Sequence, residues 1–292
     1  MPSLKEVRTR IDSVKSTQQI TSAMKMVAAS KLRKAQNAIL KMRPYALKLN
    51  EILQNLSSSI DNSAESAYSE VRHEEKILII SIASNRGLCG AFNANVIKES
   101  NRIIKEKYNR QDKVGNVFIY CFGKKIADFY TSKEYNVAET NIEIFDNLSF
   151  ENVVPLAEHF MKEFALKKYD KIEIIYNQFK NAATQQLISE QYLPIQPSGG
   201  NGETLVVDYI FEPNKEEIVH KLIPKALKIQ LYKALLDSFA SEHGARMTAM
   251  HKATDNAEEL MKDLKLKYNK ARQASITNEI LEIVSGAEAL KG

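Results

Sequence analysis

Proline and glycine are scarce in this chain, which has seven prolines and ten glycines among 292 residues. Beyond Pro224 there is no further proline, and the only glycines are Gly244, Gly286 and the terminal Gly292. Because these residue types are the ones that most often break a helix, their absence permits a helix of more than sixty residues. At 1.5 Å per residue it would be roughly 100 Å long, so it needs another long helix or a partner protein to cover it.

Cysteines and long apolar runs are also lacking. The two cysteines, Cys89 and Cys121, lie far apart and have no ligand spacing with the five histidines, which indicates a reducing compartment without a zinc site. No apolar run approaches the length of about eighteen residues that a membrane-spanning helix needs. The first ten residues are charged and periodic, so we expect no signal peptide there.

The net charge of +5 is concentrated at the start of the chain. Residues 1–50 contain eleven Lys and Arg but only Glu6 and Asp12 as acids, a local balance of +9, so the rest of the chain is net negative. A basic helix of this kind favours nucleic acid, a membrane surface or an acidic protein as its partner, or is merely a solvated face.

An apolar repeat runs along both ends of the chain. Alternate steps of three and four residues over residues 4–56 give sixteen positions, of which all but Gln18, Thr21 and Lys25 are apolar. The same count over residues 229–274 gives fourteen positions, eleven of them apolar. The last six of these positions are Ala257, Leu260, Leu264, Lys267, Ala271 and Ala274. This spacing is typical of a coiled-coil seam, so we predict an antiparallel pair of helices, with a kink at Pro44. The alternative is two separate amphipathic helices packed on the middle of the chain.

The middle of the chain alternates between short apolar runs and amphipathic segments. Strands are predicted at residues 76–83, 116–122, 137–145 and 171–179, helices at 91–108, 124–130 and 150–168, and a last strand or loop at 186–195. Strands separated by helices favour a parallel sheet. The predicted fold class is therefore α/β plus a long antiparallel coiled coil, with a central Rossmann-like domain.

Domain boundaries follow from the same patterns. Polar or glycine-rich stretches at 57–75 and 198–213 read as linkers, the second including a foot segment. They separate an N-terminal coiled-coil helix at 1–56, an α/β domain at 76–197 and a C-terminal coiled-coil helix at 214–292.

Catalytic motifs do not stand out. The first strand is followed by SNRGLCG at residues 84–90, which offers two glycines and Arg86 but matches neither G-x-G-x-x-G nor the P-loop pattern. A tight turn with protein contacts is favoured there over a phosphate site, and Cys89 has no nearby histidine to activate it. His243 and Arg246 occupy seam positions and are interpreted as register markers or contact points. We therefore predict a protein that is not an enzyme, with no catalytic, cofactor or metal residues.

Four segments resemble a known family. They are TQQITSAMKMVAASK at residues 17–31, RGLCG at 86–90, ATDN at 253–256 and YNKARQASIT at 268–277. Together they resemble the γ subunits of the rotary F-type ATP synthases, and the resemblance covers the whole chain in order. The α/β part matches by pattern more than by residue. The chain lacks the cysteine-bearing insertion of chloroplast members, and its start resembles that of bacterial members.

The resemblance implies a central shaft. The paired terminal helices would stand inside a ring of α and β subunits, and the base of the shaft would sit on the c-subunit ring with ε. Ion flow would turn the shaft, and its asymmetry would bias each β site differently. The chain would be peripheral to the cytoplasmic face of a bacterial membrane, held there by the complex only, without cofactors and without nucleic acid.

The resemblance also implies which residues contact partners. Met24, Lys25, Lys31, Arg33 and Lys34 would meet acidic levers of β, and Arg86 belongs to the matching turn. Arg272, Gln273 and Thr277 would meet a catch loop of the head, with Ile276, Ile280, Ile283, Ala287 and Leu290 in an apolar bearing. Tyr209 and Glu212 would contact the c ring. Two rival interpretations are a basic coiled-coil protein that binds nucleic acid or acts as a scaffold, and an α/β enzyme with helical extensions.

Overall fold

The computed structural model describes residues 4–57, 68–182, 184–195 and 215–289. In chain order the elements are α1 (Leu4–Ser57), β1 (Ile77–Ile82), α2 (Phe92–Lys107), α3 (Asn109–Lys113), β2 (Val117–Phe122), α4 (Lys124–Ser132), β3 (Asn136–Asn141), a 3-10 turn (Glu143–Phe145), α5 (Phe150–Ala165), β4 (Lys171–Phe179), β5 (Gln185–Leu193) and α6 (Lys215–Ala289). They form two units, Ala29–Arg246 and the combination of Met1–Ala28 with Met247–Gly292.

The larger unit contains a five-stranded sheet in the order β3-β2-β1-β4-β5. The first four strands are parallel, and β5 runs antiparallel to β4. All six residues of β1 are buried, because both faces of the sheet are covered by helices. The prediction of a central α/β domain is confirmed, but the sheet is mixed, since the segment predicted as a last strand or loop is an antiparallel edge strand.

Two predicted elements end earlier than the sequence pattern indicated. The strand predicted at 137–145 ends at Asn141, and a 3-10 turn follows. The reason is local, because the Asn141 side-chain oxygen accepts a hydrogen bond from the backbone N–H of Ile144 at 3.1 Å. Helix α5 begins after Ser149, whose hydroxyl caps it by accepting from the N–H of Asn152, and ends at Ala165 rather than at 168.

Apolar side chains cover both faces of the sheet. One layer joins the sheet to α5 and α6 and contains Tyr120, Phe160, Ile174, Leu227 and Leu231. The other joins it to α2 and α4 and contains Ile79, Val96, Ile104, Ile119 and Ile126. Helix α6 begins at Lys215 and continues through Pro224, which lies inside the helix.

Helices α1 and α6 also pair within the larger unit. The seam positions of α1 in this unit are all buried or half-buried as far as side chains are described: Leu32, Ala35, Ile39, Met42, Ala46 and Leu49. The Lys225 ammonium lies 5.4 Å from the centre of the Tyr45 ring, while Lys31 acts electrostatically on Glu242. An earlier residue of α1 thus faces a later residue of α6, which makes the pair antiparallel. The helix continues through Pro44.

The smaller unit is a second stretch of the same helix pairing. On α1, the predicted seam positions Leu4, Val7, Ile11, Val14, Gln18, Thr21, Lys25 and Ala28 are all buried or half-buried. Two of the three polar exceptions thus remain half-buried, and the third, Thr21, exchanges a hydrogen bond of 2.9 Å with Thr254 of α6. The polar break in the repeat is therefore part of the contact.

Beyond Ala257 the seam predicted for α6 is confirmed at Leu264, which is buried, and at Ala271, which is half-buried, but it is wrong at the other three positions. Leu260, Lys267 and Ala274 are exposed, whereas Met261, Tyr268 and Ser275 are half-buried. From Ala253, the residues of α6 that face α1 follow one another in two successive steps of four, to Ala257 and then to Met261. The predicted seam has a step of four followed by a step of three. A helix has 3.6 residues per turn, so a strict 3.5-residue count drifts off the contact line and an extra four-residue step restores it.

Candidate partner-contact surfaces

A buried arginine holds the turn at residues 86–90 against helix α6. Arg246 donates from Nη2 to the carbonyl oxygens of Arg86 at 2.9 Å and Gly87 at 3.2 Å. From Nη1 it donates to the carboxylate of Glu242, one helical turn earlier. Arg246 and Glu242 are both only 7% exposed. Because the guanidinium carries several donors in one plane, a single side chain neutralises Glu242 and fixes the turn.

Burial controls the protonation of this cluster. Burial raises the pKa of the Glu242 carboxyl, and the neighbouring Arg246 opposes that shift. Burial, together with the positive charges of Arg246 and Lys31, lowers the pKa of His243 to about 3. His243 is therefore neutral at physiological pH. Its ring packs edge-on against Phe239, with the ring centres 4.4 Å apart.

The outer side of the turn presents Arg86 and Leu88. Leu88 is 65% exposed and has a φ of +63°, a backbone conformation that is unfavourable for a leucine. Cys89 is buried beneath them, and burial raises the pKa of its thiol. A buried, protonated thiol is a poor nucleophile, so the geometry gives the turn a contact surface rather than a reactive group.

The cations predicted on α1 lie on its solvent side within the larger unit. Lys31, Arg33 and Lys34 are exposed, while Leu32 and Ala35 face the seam. None of the three cations forms an ion pair with another residue in the described ranges. They therefore provide a positive surface available to an acidic partner.

The part of α1 in the smaller unit also exposes apolar side chains. Met24 and Lys25 are half-buried, so they contribute less surface than the sequence pattern indicated. The exposed large apolar side chains there are Ile20 at 60%, Met26 at 64% and Val27 at 58%. Sequence reasoning did not single out Ile20 or Val27. Their seven-residue separation, on a helix face away from the seam, was the available signal.

The end of α6 has no covering helix among the described residues. Every residue from Ile276 to Ala289 is exposed, including five large apolar side chains: Ile276, Ile280, Leu281, Ile283 and Val284. Exposed apolar surface concentrated in this way marks a binding surface. We call residues 276–289 the apolar tip.

Polar residues precede and enter the apolar tip. Arg272, Gln273 and Thr277 are exposed, and the Thr277 hydroxyl donates to the carbonyl of Gln273 at 2.9 Å. The structure thus places Arg272 and Gln273 where a partner can reach them. The predicted foot residues Tyr209 and Glu212, and Leu290 of the predicted bearing, lie outside the described residues.

The described part of the chain contains an open crevice but no candidate metal cluster. The crevice has a volume of about 460 Å³, lies in the larger unit and is lined by α1, α6 and Phe150. No group of three or more potential metal ligands occurs within the described ranges. None of the helices described there combines the length and the apolar character that a bilayer crossing requires.

The fold and these surfaces define a class of protein, a long helical pair with an α/β domain that presents basic and apolar surfaces to partners. Comparisons with known proteins identify one family. The ATP synthase family model matches residues 3–290. The ATP synthase gamma chain of Christiangramia forsetii is 60% identical over 292 residues, and that of Flavobacterium johnsoniae is 60% identical over 294, both covering 100% of each chain. This chain belongs to the ATP synthase gamma chain family, the γ subunits of the rotary F-type enzymes.

Solved structures share the fold. The chain resembles one from the mitochondrial ATP synthase of Euglena gracilis with a TM-score of 0.68 and 22% identity, covering 98% of this chain and 94% of that one. It also resembles one from the central stalk and c-ring of the Tetrahymena thermophila enzyme, with a TM-score of 0.57 and 24% identity, covering 80% and 99%.

Proposed function

We propose that this chain is the central rotor shaft of an ion-translocating F-type ATP synthase and couples rotation of a membrane c ring to conformational change at catalytic sites on β subunits. The observation that carries the proposal is the apolar tip, a helix end that nothing in the described chain covers, in a protein whose full-length relatives are ATP synthase gamma chains. The relatives do not favour the rival function of binding nucleic acid.

The shaft itself is proposed to be non-catalytic. Its turn at residues 86–90 carries a buried, protonated thiol at Cys89, and His243, which lies beside the Arg246 that holds the turn, is neutral and enclosed. Neither is arranged as a nucleophile with a base. ATP chemistry would therefore take place on other subunits, and the contribution of this chain would be mechanical.

Three surfaces are proposed to face the catalytic head of α and β subunits. Lys31, Arg33 and Lys34, with the neighbouring Met24 and Lys25, would pass acidic levers of β. Exposed ion pairs are each worth only about 0 to 1 kcal/mol, so a turning shaft can make and break them cheaply. Because the shaft is asymmetric, each β site would meet a different face and be shifted toward a different nucleotide affinity.

The end of α6 is proposed to enter the centre of the head. Arg272, Gln273 and Thr277 would hydrogen-bond a catch loop, and Ile280 and Ile283 would lie in an apolar bearing. Burial of five large side chains there would favour a fixed axis, while their lack of directional bonds would permit rotation. Arg86, exposed on its turn, is a further proposed head contact.

The opposite end is proposed to sit on the c ring together with ε, through Tyr209 and Glu212 of the foot segment. The proposed domains are an N-terminal helix at 1–56, an α/β domain at 76–197 and a C-terminal helix at 214–292, joined by linkers at 57–75 and 198–213. Attachment through the complex would make the chain peripheral to the cytoplasmic face of a bacterial membrane.

The direct test is affinity purification of the tagged chain from membranes of its source cells. Mass spectrometry identifies the partners, and the eluate is assayed for ATP hydrolysis. We expect two larger nucleotide-binding subunits at about three copies each per shaft, together with ATPase activity. A parallel purification with residues 276–289 deleted serves as the control and should recover less of both head subunits. Recovery of nucleic acid or unrelated proteins without ATPase activity would refute the proposal.

A further inference from the structure

Hydrogen bonds anchor helix α6 over strands β4 and β5, and two of them come from hydroxyl groups. The Tyr192 hydroxyl donates to the Leu227 carbonyl at 3.2 Å, and the Ser241 hydroxyl donates to the Asn177 carbonyl at 2.9 Å. Asp237 lies between these anchors on the helix, one turn before Ser241, and is 4% exposed. The helix therefore holds a carboxyl group close to the strands.

The strands present two further polar groups on the same face. The antiparallel register pairs Ile174 with Glu190 and Tyr176 with Ile188, so Tyr176 and Glu190 are diagonal neighbours on the face that α6 covers. Tyr176 is fully buried. Its hydroxyl and the Oε1 atom of Glu190 are both buried and form no hydrogen bond of good geometry in the described chain, although burial and the nearby carboxylates of Glu190 and Asp237 raise the pKa of that hydroxyl. Unsatisfied buried polar atoms are uncommon and call for an explanation.

Charged groups from α1, α6, β5 and the segment after β4 act on Asp237. Lys233 lies one turn earlier on α6, Arg43 comes from α1 and Lys180 follows β4, while Glu190 of β5 brings a second negative charge. Within the described ranges, Asp237 makes no ion pair with any of these cations. Burial, with a contribution from Glu190 and against the opposing effect of the three cations, raises its pKa to about 6.

We propose that Asp237, Glu190 and Tyr176 form a proton-binding site between α6 and the edge of the sheet, in which Asp237 takes up one proton in mildly acidic solution. The proton adds to a carboxylate oxygen, and no other bond changes. A proton suits the site better than a metal ion, because only two carboxyl groups converge there and three cationic side chains surround them. Once protonated, Asp237 gains a donor for the negative oxygen of Glu190 or for the Tyr176 oxygen.

The consequence is a pH-dependent contact between α6 and the sheet. In the unfolded chain Asp237 has the ordinary aspartate pKa of 3.8, so between pH 3.8 and about 6 the folded chain binds more protons. Stability from this group is present below that range and is lost as the pH rises through it. Above pH 6 the buried charge persists and loosens the attachment of α6 to β4 and β5.

The first experiment measures the protonation directly. The full chain, labelled with ¹³C at aspartate side-chain carboxyls, is titrated by NMR from pH 4 to 8, and Asp237→Asn identifies the signal of interest. We expect its midpoint at least one pH unit above that of Asp263, an exposed aspartate on the same helix. Glu190→Gln should lower the midpoint, because it removes a neighbouring negative charge. A midpoint equal to that of Asp263 overturns the proposal.

The second experiment measures the consequence for folding, and it remains informative if the NMR assignment fails. Asp237→Asn should increase the folding equilibrium constant at pH 7.5 by tenfold or more, and this gain should largely disappear at pH 4.5. The control Asp263→Asn should change neither value. If Asp237→Asn lowers stability equally at both pH values, Asp237 has a packing role only and the proton site is refuted. If that variant does not fold, Glu190→Gln must flatten the pH dependence instead.

Discussion

Replacing Arg246 by methionine tests how the turn is attached to α6. Methionine retains much of the apolar volume of the side chain but removes every donor. The variant leaves Glu242, which is 7% exposed, as a buried charge without its partner. The Gly87 carbonyl also loses its donor, whereas the Arg86 carbonyl still accepts from the Ser84 hydroxyl at 2.7 Å.

The size of the effect follows from these contacts. Breaking a buried ion pair from one side typically costs about 3 to 5 kcal/mol, because the remaining charge is uncompensated. Removing both charges, with Arg246→Met and Glu242→Gln together, leaves mainly one carbonyl to satisfy, which costs roughly 1 to 2 kcal/mol. We therefore expect the double variant to be more stable than the Arg246→Met single variant.

Urea unfolding of the full chain at pH 7.5 measures these differences. The sequence has no tryptophan, and Tyr108, Tyr130 and Tyr176 are buried in the same unit, so tyrosine fluorescence reports on it directly. Arg272→Met is the matched control, since Arg272 is exposed, and its effect should stay within about 0.5 kcal/mol. A loss below 1 kcal/mol for Arg246→Met, or a double variant as unstable as the single one, would refute the reasoning.

Three further predictions concern other parts of the chain. Unfolded His243 binds a proton near pH 6.5 and the folded residue only near 3, so stability is lost as pH falls through this range. His243→Leu should reduce the acid-induced loss by up to about 3 kcal/mol at pH 4 in urea titrations. Gly123→Ala places a Cβ 2.4 Å from the carbonyl oxygen of Ala83, which follows β1, and should cost over about 2 kcal/mol, whereas Gly90→Ala, also at positive φ but in open space, should cost about 1 kcal/mol in the same assay. Replacing Arg272 and Gln273 together by alanine should impair ATP turnover or assembly and leave the circular dichroism of the isolated chain unchanged; normal assembly, hydrolysis and synthesis would contradict the catch-loop assignment.

The helices could be predicted from the sequence because their signal is long and repetitive. Every described seam position of α1 is buried or half-buried, including the polar Thr21, which contacts Thr254. The failure at Leu260 and Lys267 shows the limit of that signal. A count with a fixed average step of 3.5 residues assigns each contact position from a starting residue far away in the sequence. In the structure, the residues that face the partner helix shift along α6, because the helix has 3.6 residues per turn.

The polar contacts could not be predicted, because they join residues far apart in sequence. Arg246 was recognised as a polar seam residue, but its bonds go to backbone carbonyls 160 and 159 positions earlier. Backbone acceptors carry no sequence signal. Asp237 and Glu190 likewise look like ordinary surface acids until the strand register and the position of α6 bring them together. Arg86 was selected for its side chain, yet its carbonyl makes the contact to α6.

The apolar tip also bears on the life of the chain before it meets any partner. A newly made copy displays Ile276, Ile280 and Ile283 to water, at 49%, 55% and 70% exposure. Unpaired chains would therefore adhere to one another or be captured by chaperones and proteases. We expect a cell to tolerate little excess of this protein over its partners. The exposed apolar tip would therefore require that the subunits be made in matched amounts.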